Sequence, residues 1–172
     1  MTNTLIVYYS RKGENYCNGE IKNLEKGNTE IVAEMIRDIT GGDIFQVNTA
    51  QPYPESYRAC VGKAVDEYKK GARPELKEYM KNIEQYDIIF VGYPNWCGTM
   101  PMAMFTFLEH YDWRGKRIAP FCTNEGSGLG VSERDIKNIC KGAEIEKGLS
   151  IHGAEAADSR NKVEVWLEEL NI

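Results

Sequence analysis

Apolar and polar positions along this chain follow two different periods. Short, largely apolar runs of strand length occur at Leu5–Tyr9, Asp43–Asn48, Asp87–Gly92, Arg117–Cys122 and Glu144–Ile151. Between them lie amphipathic stretches at roughly Thr29–Thr40, Ser56–Lys70, Pro101–Tyr111, Ser132–Lys141 and Ser159–Leu170. Ile31, Val32, Met35, Ile36 and Ile39 share one side of the first of these. Val163, Trp166, Leu167 and Leu170 follow the i, i+3, i+4, i+7 spacing of a helix in the last. Ser132 and Asp158 are the expected N-caps of the fourth and fifth helices, and Glu75–Asn82 is expected to add a helical turn before the third strand. Strict alternation of strand and helix predicts a parallel sheet with helices on both faces.

Strand composition predicts the order of the sheet. The first and third strands are continuous apolar runs, as strands covered on both faces must be. The second and fifth carry Asp43, Gln46, Glu144, Glu146 and Lys147 and read as edges. The order 2-1-3-4-5 puts those two strands outside. It also makes the fourth strand interior, where Pro120 removes a ladder donor and predicts a local irregularity. The segment Gly13–Lys26 stands outside the alternation. It is polar, holds Gly13, Asn15, Asn18, Gly19 and Asn23, and separates the first strand from the first helix. Loops of this length are functional or disordered. Here Tyr16, Ile21 and Leu24 are available to anchor a lid, while the polar content also permits a disordered surface loop.

Composition narrows the function classes. The 172 residues are expected to form one domain, 1–172. A net charge of −5 argues against a nucleic-acid partner, which needs a basic face. No apolar run approaches the ~20 residues of a membrane span, and Met1-Thr2-Asn3-Thr4 lacks a basic leader, so a cytoplasmic location is expected. Five cysteines without a C-x-x-C, and two separated histidines, offer neither a disulfide framework nor a zinc site. The nucleophile elbow G-x-S-x-G is absent.

Candidate chemistry falls in three loops, each after a strand that this order places beside the next. The first joins Tyr9-Ser10-Arg11-Lys12 to Gly27-Asn28-Thr29, a hydroxyl, a glycine and a helix start suited to a phosphate. Capping of the helix alone is the other reading of Asn28 and Thr29. The second is Pro94-Asn95-Trp96-Cys97-Gly98-Thr99, where Trp96 either plugs the rim of the core or walls a flat ring. The third is Thr123-Asn124-Glu125-Gly126-Ser127-Gly128, whose glycines let backbone approach a ligand or simply make a flexible turn. Lys12 or Arg11 either neutralises a phosphate or is solvated.

These three segments resemble the flavodoxin family. The matching residues are Tyr8-Tyr9-Ser10 with Gly27-Asn28-Thr29, then Gly92–Thr99, then Phe121–Gly128, and the likeness runs over nearly the whole chain. It implies a flavodoxin-like three-layer sandwich with a five-stranded parallel sheet, noncovalent FMN, and electron transfer with redox partner proteins. It implies that Ser10, Lys12, Gly27, Asn28 and Thr29 meet the phosphate. Pro94, Asn95, Trp96, Cys97, Gly98 and Thr99 would lie on one side of the flavin ring. Thr123, Asn124, Glu125, Gly126, Ser127 and Gly128 would lie on the other. Two features depart from the family pattern: Gly13–Lys26 splits the phosphate loop, and the third loop holds no aromatic. An NAD(P)H-dependent FMN quinone reductase of the same fold is the main rival. A phosphoacceptor module lacks its acidic cluster, since the first strand ends in Tyr8-Tyr9-Ser10.

Overall fold

The computed structural model describes residues 2–172. Its central sheet runs β4-β1-β5-β6-β7, with β8 also paired to β6. The strands are β1 (Thr4–Tyr8), β4 (Asp43–Gln46), β5 (Ile88–Pro94), β6 (Arg117–Asn124), β7 (Glu144–Ile145) and β8 (Leu149–His152). All their pairings are parallel. Counting β7 and β8 as one interrupted edge strand gives the expected order 2-1-3-4-5. Apart from the sheet, β2 (Gly13–Cys17) and β3 (Glu20–Leu24) form an antiparallel hairpin. No helix among the described residues is long and apolar enough to cross a membrane.

Side chains of successive strand residues point to opposite faces, so β1 feeds two cores. Leu5, Val7 and Tyr9 join one cluster with residues of α2 (Tyr57–Lys70), α3 (Met102–Glu109) and α4 (Ser132–Ile139). Ile6 and Tyr8 join another with α1 (Asn28–Thr40) and α5 (Arg160–Glu169). Phe90, Phe107 and Phe121 are wholly buried, and each such side chain contributes ~1.5–3 kcal/mol. Gly92 is required where it stands: a Cβ there would lie 2.1 Å from the Phe121 ring. Trp113 is buried with its indole N–H donating to the Leu108 carbonyl at 2.7 Å.

Pro120 is accommodated by its neighbour rather than by a break in its own strand. β6 stays in register with β5 from Ile88↔Arg117 to Pro94↔Thr123. On the other side the register changes from Ile118↔Ile145 to Phe121↔Leu149, which inserts one extra residue opposite Ala119-Pro120. The Glu146 N–H reaches the Ile118 carbonyl at 2.8 Å, so by alternation the missing Pro120 donor also faces this edge. The irregularity is therefore a bulge of the edge strand, and Glu144–Ile151 is two short strands rather than one.

Three local expectations are corrected. Glu75–Asn82 forms no helical turn; a 3₁₀ turn follows it at Ile83–Gln85, and Leu76 makes an isolated antiparallel bridge to Thr49. Ser132 does not cap α4. Its hydroxyl donates to the Leu129 carbonyl and accepts from the buried Tyr93 phenol. Asp158 closes a 3₁₀ stretch, Gly153–Asp158, and Ser159 holds the cap position of α5 without a side-chain cap bond.

Candidate cofactor cleft

The chain passes from β1 to β4 on one side and then to β5 on the other, so its direction of winding reverses between β1 and β5. A cleft forms beyond the carboxyl ends of strands at such a point. Here it is a cavity of about 200 Å³. Ser10, Asn28, Thr29, Pro94, Asn95, Trp96, Thr123, Asn124, Glu125 and Ser127, all singled out in the sequence, are brought together in its lining. Gly27, Gly98, Thr99, Gly126 and Gly128 belong to the same three loops but are not part of its lining. Lys12 does not reach it and lines a separate surface cavity; Arg11 borders both. Cys97 lies in an adjoining groove of about 180 Å³ that shares Arg11, Asn15, Tyr57, Asn95 and Trp96 with the main cavity.

The first loop is closed by Ser10. Its hydroxyl accepts the Glu30 N–H at 3.1 Å, capping α1 from a residue twenty positions away. Among the described residues, no hydrogen bond is made by the N–H groups of Asn28 and Thr29 in the first turn. The Thr29 and Thr123 hydroxyls meet at 2.7 Å, tying the first loop to the third. Gly27 packs so tightly that a Cβ would stand 2.1 Å from Ser10 Oγ and 2.7 Å from the Arg11 carbonyl oxygen.

The second loop turns sharply to present Trp96. Trp96 and Thr99 exchange backbone hydrogen bonds of 2.9 and 3.2 Å around Cys97 and Gly98. Both central residues have positive φ, 57° and 81°, a type I′ turn. Trp96 meets Tyr9 and Tyr53 edge-on, at centroid distances of 5.2 and 5.1 Å. It is thus both rim packing and cavity wall. The Thr99 hydroxyl donates to Asp135 at 2.6 Å and anchors the turn from below.

Two asparagines act inward. Asn95 accepts the Gly98 N–H at 3.0 Å and donates to the Gly128 carbonyl at 2.8 Å, joining the second and third loops. Asn124 accepts from both Gly126 and Gly128 N–H, at 3.0 and 3.1 Å, and donates to Ser150 Oγ at 2.8 Å. Those two glycine donors are therefore spent within the loop rather than offered to a ligand.

Gly13–Lys26 is ordered as the β2–β3 hairpin over the cavity. Asn18 and Gly19, with φ of 53° and 87°, make its two-residue turn. At the tip the Asn18 N–H donates to Glu125 Oε2 at 3.0 Å, with His152 Nε2 3.5 Å from the same oxygen. Lower down, Glu14 Oε2 accepts the Tyr57 N–H at 2.7 Å, capping α2, and Tyr16 stacks on Tyr57 at 6.2 Å. Asn15, Tyr16, Tyr57 and Gly153 thereby line a cavity to which sequence reasoning had not assigned them. The signal for the hairpin was present in Asn18-Gly19, the dipeptide that two-residue hairpins favour. Gly153 carried no such signal.

The doubly wound sheet with its cleft at the β1/β5 reversal defines a flavodoxin-like α/β protein. The sequence profile of that family, flavodoxin, matches residues 24–170. The chain belongs to the flavodoxin family. The matched span opens at the last residue of the hairpin. Among curated proteins, none matches the chain significantly in sequence. Among solved structures, a protein of Bacteroides eggerthii assigned as a flavoprotein is 25% identical, with a TM-score of 0.77 over 100% of this chain and 99% of that one. A flavoprotein of Lactobacillus acidophilus in complex with FMN is 21% identical, with a TM-score of 0.65 over 92% and 98% of the two chains. Flavodoxin 1 of Bacillus cereus is 16% identical, with a TM-score of 0.54 over 99% and 98%. The last two bear on the fold alone.

The five cysteines are all free, and Cys97 alone is exposed. Burial pushes the Cys122 and Cys140 thiols up to about 12, and partial burial also raises Cys97. Burial disfavours the thiolate. Alkylation of the folded protein is therefore expected at Cys97 only, slow at neutral pH and faster as pH rises above the ordinary thiol range. Denatured, unreduced protein should titrate five thiols. Fewer than five would reveal a disulfide.

Proposed function

We propose that this chain is an FMN-binding, flavodoxin-like electron-transfer protein. The observation that carries the reading is the cavity itself: Trp96 lines it together with Ser10, Asn28 and Thr29 at the start of α1, where the Asn28 and Thr29 N–H groups make no hydrogen bond among the described residues. FMN bears a phosphate and a flat conjugated ring, and both requirements meet here. FMN is accordingly the cofactor. Ser10, Asn28 and Thr29 hold its phosphate, with Gly27 bringing backbone close and the α1 dipole favouring the anion. Pro94, Asn95, Trp96 and the Cys97-Gly98 turn frame one side of the ring; Thr123 to Gly128 frame the other. Bound FMN supplies one- and two-electron redox chemistry. The chain orients it, excludes water beneath the hairpin, and sets the local charge through Glu125 and Arg11.

An electron carrier fits better than a hydride-transfer enzyme because the hairpin covers the cavity. Hydride transfer needs a donor against the ring face, whereas single-electron exchange needs only an exposed edge. The partners on this reading are redox proteins, a reductase and an acceptor, and the site of action is the cytoplasm, where the five thiols stay reduced. The groove lined by Val61, Ala64 and Val65 beside Trp96 favours the rival, an NAD(P)H-dependent FMN quinone reductase. Steady-state assays separate them. A carrier loaded with FMN oxidises NADPH no faster than free flavin until a reductase is added; rapid, quinone-dependent NADPH oxidation by the protein alone would establish the enzyme.

Trp96→Ala is expected to weaken FMN binding and relieve quenching of flavin fluorescence. Aromatic contacts contribute about 0.5–1.5 kcal/mol beyond area burial. Unchanged affinity and unchanged quenching would remove Trp96 from the ring contact.

A further inference from the structure

A second cavity, of about 710 Å³, opens beside the cofactor cleft and shares only Ser10 and Arg11 with it. It lies past the carboxyl ends of β1 and β4. Gly13, Glu14 and Asn23 of the hairpin line one side, and the loop from Asn48 to Ser56 lines the other. Cavities of this size hold small organic molecules, which are oriented by a few convergent polar groups. Tyr9 and Tyr53 give this one an aromatic wall, and the same two rings pack edge-on against Trp96.

The polar groups of the lining are mostly donors without acceptors. Tyr9 is 6% exposed, and its hydroxyl makes no hydrogen bond among the described residues. Every fully enclosed polar side-chain atom there is hydrogen-bonded, so the Tyr9 oxygen reaches open space, and this is the cavity it lines. A buried hydroxyl without a partner is costly unless something fills the place. Burial pushes the phenol above its ordinary range, so it stays a donor. Arg11 is held at the cavity edge by two neutral acceptors, the Glu14 carbonyl at 3.2 Å and the Glu55 carbonyl at 2.7 Å. Neither Arg11 nor Lys12 takes part in an ion pair among the described residues. The carboxylates of Glu14 and Glu55 also line the cavity; Glu14 Oε2 is turned to the Tyr57 N–H. They oppose a phosphate dianion more than a single carboxylate.

We propose that this cavity is a second binding site, for a small aromatic carboxylate, and that its occupant locks the base of the hairpin to the body of the domain. The ring of the ligand lies against Tyr9, Tyr53 and Pro52. Its carboxylate accepts from the Tyr9 hydroxyl and faces the Arg11 and Lys12 cations. Because Gly13, Glu14 and Asn23 wall the cavity from the hairpin side, a ligand in contact with both walls resists the hairpin's opening. The site stands apart from the FMN reading, since no group of it needs a flavin in the neighbouring cleft.

Calorimetric titration of the full chain with 2-naphthoate tests the site. One equivalent should bind; the neutral 2-naphthamide should bind more weakly, and inorganic phosphate should not compete. Tyr9→Phe keeps the ring and removes only the hydroxyl, and it should weaken 2-naphthoate about tenfold or more, as loss of a hydrogen bond to a charged group does. Lys12→Gln, at an exposed position, should weaken it severalfold, whereas Lys22→Gln, the same change of charge elsewhere on the hairpin, should leave it unchanged. Hydrogen exchange of the Gly13–Leu24 amides should slow when 2-naphthoate is bound. The absence of saturable binding, or binding by both Tyr9→Phe and Lys12→Gln as tight as the parent's, would overturn the site. Binding without slower exchange in the hairpin would overturn the lock.

Discussion

Gly27→Ala is expected to weaken FMN binding about tenfold to a hundredfold, the equivalent of ~1–3 kcal/mol of overpacking. The added Cβ would stand 2.1 Å from Ser10 Oγ and 2.7 Å from the Arg11 carbonyl oxygen. Relief requires Ser10 to swing away from the Glu30 N–H that it caps, or the start of α1 to shift. Either movement displaces the Asn28 and Thr29 donors from the phosphate. The loss should therefore be larger for FMN than for riboflavin, which has no phosphate to misplace. Calorimetric titration of both ligands measures it. Equal affinities for the variant and the parent would mean that the phosphate lies elsewhere.

Replacing Gly13–Lys26 with a short glycine linker is expected to speed FMN dissociation about tenfold or more, ~1.4 kcal/mol or above. The hairpin is fastened at both ends of the cavity: the Asn18 N–H on Glu125 at the tip, and Glu14 and Tyr16 on Tyr57 nearer the base. Release must break the tip contact or carry the hairpin with it. Contacts of this kind act mainly on dissociation rates. Stopped-flow displacement of FMN reads the rate directly. A rate equal to the parent's would show that the hairpin does not retain the cofactor, and would direct attention to its exposed Tyr16 and Ile21 as a docking surface.

The sheet order was legible because burial on two faces and on one face leaves different residue patterns, as in Ile88–Val91 against Asp43–Gln46. Pro120 told of an irregularity but not of which strand would carry it, because a missing donor can be met by either neighbour. The hairpin was passed over because β2 and β3 are largely polar, and a strand pair stabilised by its turn and by contacts across a cleft shows no hydrophobic alternation. Tyr57 and Gly153 enter the cavity from elements distant in sequence, and nothing local marks them. The three strand-end loops were found because their position follows from topology. The inward roles of Asn95 and Asn124 were not legible, since an asparagine that organises a loop and one that meets a ligand look alike in sequence.

The central claim is that this chain holds FMN by its phosphate at the start of α1 and by its ring at Trp96. The most direct measurement is a parallel fluorescence titration of the cofactor-free full chain with FMN and with riboflavin. FMN should bind stoichiometrically, with its fluorescence quenched, and riboflavin should bind more weakly with similar quenching once bound. Indifference of the chain to both flavins, or equal affinity for the two, would contradict it.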